Sequence, residues 1–537
     1  MAPLLGWFKF KRLGSYESFR LLLLILCGLT VLLFVAQAKR LLPVSSENII
    51  PESAGVLAAQ SWARGVPLYS DYRQSPYWMT AFPPLWYACM ALAAKAGLTD
   101  LNSLTLFGRL LSLACLFGIG AVGYLWNRGL KFAPQQALLT PAFFLAFPVL
   151  IPWAVTARPD FLALLLGLVA LYWAGSRSTT GAVVGAGIVA GLAFLTRHNA
   201  VAVPVALVLW MVWSRRWKHA GLFCCSWALV VGVALVPFQF FGNDFLLLNL
   251  SSAKFGPLKP TYIHDVLNHL LVAPASGLAV VLFALGALGL LVSWKDANSH
   301  VRLLNVYFVV CFLLAIVGSA AAGASANHFL EAALAASLLV PVAMAGLQSS
   351  WRDDSPLGSL AIILTLALLL PAMDAQRFNL THSQPENLAP VVSLMQNKRI
   401  FTDDSYLAAR SSTPEAIDLA SLINTERTGG WASWSSEKLA QMLRDKKYEL
   451  VILRTPMAAP YVPYDPDAAY PRYPLLDTAL QTAITRNYGL CTKMDALGDD
   501  GPRFIYGPLS AQSGSTGPIC PPLQSTTMQF KLESSLQ

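Results

Sequence analysis

A chain of 537 residues, 55% of them hydrophobic and only 12% charged, holds far more apolar surface than a soluble core can bury. It reads as a polytopic α-helical membrane protein. The net charge of +9 does not mark a nucleic-acid partner, because Lys and Arg cluster in short loops between apolar runs, where they set orientation.

In chain order, Lys9, Lys11 and Arg12 precede the first apolar run, about Phe19 to Gln37. The positive-inside rule then places the N-terminus in the cytoplasm and the following loop outside. The opening run is too long, and lacks the small-residue cleavage site, for a signal peptide, so it is read as a retained anchor. Further runs long enough to span lie near 104–126, 134–154, 160–176, 219–241, 270–294, 302–322, 328–348 and 357–373, and the 180–213 stretch divides at Arg197-His198-Asn199. Alternating these spans puts Arg128 and Lys131, Arg177, Arg215 with Arg216 and Lys218, Lys295 with Arg302, and Arg352 inside. That agreement gives about eleven spans with the C-terminus outside, provided that Phe82 to Gly97 does not cross. This piece is short, opens with Pro83-Pro84 and contains Lys95, so it is expected to lie at the outer face.

The domain reading is therefore a transmembrane domain over 1–373, with its first outer loop over 42–103, and a small extracytoplasmic α/β domain over 374–537 with a frayed tail. In the second part, Tyr448 to Leu453 and Arg503 to Tyr506 read as strands and Ser436 to Lys446 as a helix. Most cysteines lie in or beside apolar runs as small hydrophobes. Cys491 and Cys520 lie in the polar part and can pair if it faces an oxidising compartment.

On this topology an unusual set of polar groups collects at the outer ends of the spans: Glu47, Glu52, Asp71, Arg73, Arg109, Arg158, Asp160, Arg197, His198, Asn199, Asn327, His328 and Glu331. Ionisable groups at a membrane boundary cost several kcal/mol unless paired or hydrated, so they are functional candidates by default. Each also has a plainer reading. Asp160 and Glu52 can be first-turn acids favoured by the helix dipole, Arg197 a snorkelling interfacial residue, Glu331 a satisfied partner of Arg109 or His328, and Glu47 and Asp71 solvated loop residues. Their convergence on one face is the argument for function. Arg and His suit a phosphate, which at a membrane surface belongs to a lipid headgroup, and a facing carboxylate can take a proton from an attacking hydroxyl.

The segments Glu52 to Gly65, Pro67-Leu68-Tyr69, Phe82 to Tyr87 and Gly108 to Ser112 resemble the first outer loop of the GT-C glycosyltransferase superfamily. That superfamily includes protein O-mannosyltransferases and the aminoarabinose transferase of lipid A. Ala157-Arg158-Pro159-Asp160, Leu195 to Asn199 and Asn327 to Glu331 are similar to further signatures of a bacterial branch. The resemblance implies a polyprenyl-phosphate sugar donor, inversion at the anomeric carbon and an acidic first-loop residue as base or sugar ligand; Glu52 matches that acid and is taken as the catalytic base. Of the gathered groups, Arg158, Arg197, Arg109 and His198 are expected to face the donor phosphate, and Asp160, Asn199, His328 and Glu331, with Tyr69, the sugar or acceptor. Two positions depart from the pattern: Ser53 stands beside Glu52 where many members have an acidic pair, and Arg197 stands where Lys is common. No cofactor is expected, and the first departure leaves a divalent metal unsupported.

The partners implied are the lipid-linked donor, membrane lipid and a glycan, lipid or protein acceptor, in a bacterial inner membrane. A transporter or flippase of lipid-linked sugars is the alternative in another class, kept alive by Pro141, Pro148 and Pro152 in one span. A non-catalytic lipid-binding partner of an envelope assembly is a third. The orientation is open to direct measurement: a reporter active only outside the cytoplasm is expected to be active when fused after Gln384 and silent after Arg216. Silence after Gln384 would separate the proposed outer groups from one another.

Overall fold

The computed structural model describes residues 16–350 and 387–520, apart from 45, 50, 148, 178, 241–244, 253–259, 272–276, 297, 322–324, 429–432, 455, 458–475, 495–501 and 511–517. The expected span over 357–373, the domain boundary near 373 and the tail beyond 520 lie outside the described residues.

Helix α1 (Tyr16–Leu41) is followed by the short helices α2 (Glu52–Ala63) and α3 (Pro84–Lys95) and then the long α4 (Leu101–Gly129), whose first turn is capped by the Asp100 carboxylate accepting from Ser103 N–H at 2.9 Å. At 12 residues α3 is about 18 Å long, well short of a hydrocarbon core of roughly 30 Å. The single span expected over 134–154 is instead three short helices, α5 (Pro134–Ala137), α6 (Leu139–Leu145) and α7 (Leu150–Ala154). Pro134, Pro141 and Pro152 each fall in the first turn of one piece, where a residue without an N–H is tolerated and where the preceding helix must stop.

Next come α8 (Asp160–Ser176), α9 (Thr180–Thr196), α10 (Ala202–Trp213) and α11 (Trp217–Phe240), so the break expected at Arg197-His198-Asn199 is where α9 gives way to α10. Helices α12 (Phe245–Ser252) and α13 (Pro260–Leu271) had no counterpart in the sequence reading. The bundle is completed by α14 (Gly277–Ser293), α15 (Ser299–Ser319), a 3₁₀ turn at Ala326–Phe329 and α16 (Leu330–Ser350). Among the described residues five helices are long and apolar enough to cross a membrane, and four shorter ones are apolar throughout. The chain is a multi-pass membrane protein.

The bundle core is centred on α16, where Leu334, Ala335, Leu338 and Leu339 are fully buried against α6, α14 and α15. Small residues set the closest approaches, as expected where helices pack in lipid without a hydrophobic drive between them. A Cβ on Gly289 would stand 2.7 Å from the backbone oxygen of Leu339, and one on Gly108 would stand 2.5 Å from the Cβ of Ala157. The second approach brings α4 against the turn before α8, where the site lies.

Residues 387–520 contain a four-stranded sheet in the order β1 (Ile400–Thr402), β2 (Leu450–Leu453), β4 (Arg503–Pro508), β3 (Tyr488–Met494). β1 and β2 are parallel and the other pairings antiparallel. The strand expected from Arg503 and the helix expected near 436–446 are present, the latter as Glu437–Arg444. Cys491, at the register shift of β3, forms a disulfide with Cys520.

This segment packs on the first loop. Tyr72, Tyr77 and Met79 share a core with Phe401, Leu443 and Trp434, and Leu57 of α2 packs with Ala408 and Ile417. Trp78 donates from Nε1 to Pro414 O at 3.1 Å, and Ala416 N–H donates to Pro76 O at 3.0 Å. On the bundle side, Asn249 of α12 is wholly buried, accepting from Thr80 N–H and donating to Ser70 O, both at 2.8 Å. The loop is thus held between two bodies of structure.

Candidate active site

Glu52 is the first residue of α2 and Arg109 lies on α4, and both are buried, at 1% and 0% exposure. The guanidinium grips the carboxylate with two bonds, Nε to Oε1 at 2.9 Å and Nη2 to Oε2 at 2.6 Å. Its remaining N–H groups donate to the chain leaving α1: Nη1 to Leu41 O at 2.8 Å and Pro43 O at 2.7 Å, Nη2 to Ser46 O at 2.8 Å. The carboxylate is equally occupied. Oε1 also accepts from Ala157 N–H at 2.6 Å and Oε2 from Asn48 N–H at 3.3 Å.

Two expectations change here. Arg109 has no donor left for a lipid phosphate, since a guanidinium offers five N–H groups and each finds a partner within the protein. Glu52 accepts four hydrogen bonds, about as many as a carboxylate can take, so in this arrangement it has no place for an acceptor hydroxyl. The pair is a clamp that joins α2, α4, the chain after α1 and the turn before α8. A sequence shows acids and bases but not which of them have consumed each other.

The residues after that turn do gather. Asp160 opens α8 with 1% exposure, and its Oδ1 receives Arg197 Nη1 at 2.9 Å and Asn327 Nδ2 at 3.4 Å. Its Oδ2 receives Arg158 Nε at 3.3 Å. The Arg158 guanidinium lies over the rings of Trp153, 4.9 Å from the centroid, and Phe82, at 5.4 Å. Arg158 and Arg197 keep 12% and 13% of their side chains exposed, whereas Asp160 between them keeps none. One buried carboxylate therefore holds two cations, each with a small part of its side chain exposed.

The other expected residues divide. His328 and Glu331 lie within the electrostatic reach of Arg197. The His328 ring fills the notch at Gly318, where a Cβ would stand 2.7 Å from Nδ1, and Glu331 accepts from the Tyr307 hydroxyl at 3.3 Å. His198 is half-buried in the turn between α9 and α10, and Asn199 beside it is exposed. Tyr69 is not available to a sugar: it is 3% exposed, its hydroxyl donates to Phe82 O at 3.0 Å and its ring meets Phe238 edge-on. Among the described residues no group of three or more His, Cys, Asp or Glu is placed to hold a metal.

Glu47, set aside as a solvated loop residue, is in a more demanding place. Its Oε1 accepts from Ser53 N–H at 2.5 Å and its Oε2 from the Ser405 hydroxyl, across from the sheet-bearing segment. Burial pushes its carboxyl up to about 7 against the pull of the Ser405 hydrogen bond. Nearby, Arg410 lies over the Tyr406 ring, 3.5 Å from Cζ to centroid, and donates to Asn102 Oδ1 at 2.5 Å. None of Ser405, Tyr406 and Arg410 is distinguishable in the sequence from an ordinary helix end.

With this geometry in hand, likeness to known proteins can be stated. The fold resembles that of ArnT from Cupriavidus metallidurans bound to undecaprenyl phosphate, with a TM-score of 0.54 at 11% identity over 90% of this chain and 98% of that one. The same enzyme in the apo state matches at 0.54 and 11% identity, over 89% and 97%. Residues 83–242 match the family described as dolichyl-phosphate-mannose-protein mannosyltransferase. Among curated proteins none matches this sequence.

The clamp has a measurable consequence. Arg109→Ala leaves the Glu52 carboxylate buried and without its cation, a loss expected to cost roughly 3–5 kcal/mol. Thermal unfolding in detergent should show a large fall for Arg109→Ala and a smaller further change when Glu52→Ala is added. Equal melting of Arg109→Ala and the parent would remove the clamp.

Proposed function

We propose that the protein transfers a sugar from a polyprenyl-phosphate donor to an acceptor hydroxyl, with inversion, on the non-cytoplasmic side of a bacterial inner membrane. The observation that carries this reading is the buried Asp160 carboxylate holding Arg158 and Arg197 together, each still partly exposed. Paired guanidinium groups suit a phosphate bidentately, and cations already fixed by a buried partner need little reorganisation as the leaving phosphate gains charge. The likeness to a fold solved with undecaprenyl phosphate and the Cys491–Cys520 disulfide, typical of oxidising compartments, support the donor class and the side.

The acceptor oxygen forms its bond to the anomeric carbon as the bond from that carbon to the phosphate oxygen breaks, the electron pair leaving with the phosphate. The hydroxyl proton passes to a carboxylate. Glu47 fits this task better than Glu52: two hydrogen bonds leave it capacity to accept, and a carboxyl near 7 is well matched to proton transfer at neutral pH. Glu52 then positions the loop that carries Glu47. No step requires a metal in this scheme.

Transfer from a panel of radiolabelled polyprenyl-phosphate sugars tests the reaction. For the phosphate site, Arg197→Ala is expected to weaken donor binding, with Arg197→Lys restoring only part because the planar fork is lost. Unchanged donor affinity in Arg158→Ala and Arg197→Ala alike would sink that assignment.

The base is tested through pH. A carboxyl raised to about 7 is protonated, and unable to take a proton, below that value, so single-turnover transfer should rise with pH through about 7 and level off above it. The sign is opposite for stability, since burying the charge of Glu47 makes folding less favourable as pH rises from its ordinary value of 4.5 towards 7. Glu47→Gln should lower transfer roughly 10²–10⁴-fold and abolish the rising limb. Full activity with an unchanged pH profile in Glu47→Gln would return the search to Asp160, His328 and Glu331.

A further inference from the structure

Helix α10 runs from the Arg197-His198-Asn199 turn to Trp213, and at its far end, a helix length of about 18 Å from that turn, two other turns meet. Trp210 Nε1 donates to Ser299 O at 3.0 Å, and the rings of Trp213 and Trp294 meet edge-on with centroids 6.4 Å apart. These contacts tie the turn between α10 and α11 to the turn between α14 and α15. They make one corner of the bundle, on the side expected to face the cytoplasm.

The corner combines exposed rings with an excess of cations. Trp213, Trp294 and Trp217 are 56%, 57% and 63% exposed. Beside them stand Arg215, Arg216, Lys218, Lys295 and Arg302, whereas residues 210–220 and 291–302 contain a single acid, Asp296, which accepts from Asn298 N–H at 2.8 Å. Two of the cations are placed by rings: the Arg302 guanidinium lies over Trp213, 5.9 Å from the centroid, and that of Arg216 over Trp210, at 5.2 Å. Stacking uses the face of a guanidinium and leaves its N–H groups, which lie in the plane, able to donate. Those of Arg302 make no hydrogen bond or ion pair among the described residues. Loop cations that only set orientation act through their charge, and tryptophans are common at both faces of a membrane. That plainer reading does not call for guanidinium planes held against the same rings.

We propose that this corner binds the headgroup of an anionic phospholipid, its phosphate meeting Arg302 and Arg216 and its glycerol and upper acyl chains packing on Trp213 and Trp294. A phosphate matches the planar fork of a guanidinium, and a tryptophan ring suits the boundary between headgroups and hydrocarbon. A zwitterionic lipid offers the same phosphate but carries a cation beyond it, which the neighbouring lysines and arginines disfavour. The site therefore selects net negative charge. It stands apart from the groups assigned to sugar transfer, whose Arg197 lies at the other end of α10.

The test uses the purified full chain in detergent, titrated with phosphatidylglycerol or phosphatidylcholine of identical acyl chains, with bound lipid counted by native mass spectrometry. The parent is expected to take its first phosphatidylglycerol about tenfold more tightly than its first phosphatidylcholine, a preference that falls with added salt. Arg216→Gln combined with Arg302→Gln should reduce the preference to within about twofold. Lys438→Gln combined with Lys493→Gln, which takes the same charge from the sheet-bearing segment, should leave it intact. Trp213→Leu keeps every cation but removes the ring beneath Arg302, and is expected to weaken phosphatidylglycerol binding severalfold with phosphatidylcholine unchanged. Melting in lipid-free detergent reports the folding of each variant, and either corner variant alone decides the assignment. Equal affinity for the two lipids in the parent, an equal loss in the Lys438 and Lys493 variant, or full phosphatidylglycerol affinity in a folded corner variant would each overturn it.

Discussion

The buried pair of Arg109 and Glu52 is the constraint on which the site depends. A charge at zero exposure is tolerable only when every donor and acceptor around it is satisfied. Arg109 meets that condition by drawing in the carbonyls of Leu41, Pro43 and Ser46, and Glu52 by drawing in the N–H groups of Asn48 and Ala157. The polar stretch after α1 therefore has one place to lie. That placement brings Glu47 to Ser405, and Gly108 lets α4 approach close enough for Ala157 to join the clamp.

Asp160 repeats the logic a few residues on with the opposite outcome. Its carboxylate is buried, but the arginines on it keep part of their surface open. The first arrangement closes on itself and fixes structure; the second leaves part of each cation at the surface. The segment 155–160 links them, so a shift in the clamp is felt at the arginines through a few backbone bonds.

Much of this was legible in the sequence. Apolar runs and Lys/Arg placement located α4, α8 and α16 closely, and the break at Arg197-His198-Asn199 followed from charges that cannot sit inside a span. The gathering of Arg158, Asp160, Arg197 and Asn327 was also within reach, because each stands at a span end. What could not be read was pairing across distance. Arg109 and Glu52 both looked available because nothing local shows that they neutralise each other. Glu47 looked solvated because its covering group, Ser405, lies 358 residues away. The four prolines in 134–154 were visible, but an apolar composition hides whether a run is one helix or three.

The order in which the chain is made has a consequence for this arrangement. The first loop leaves the ribosome long before residues 402–416, which cover Glu47, Trp78 and Pro76, have been synthesised. During that interval the Arg109 clamp can already hold the base of the loop, since its partners up to Ala157 arrive soon after. The far side has to wait. A nascent chain would thus carry its arginines in place and Glu47 still without its cover. Completion of this arrangement would then be a late event, waiting on residues 402–416.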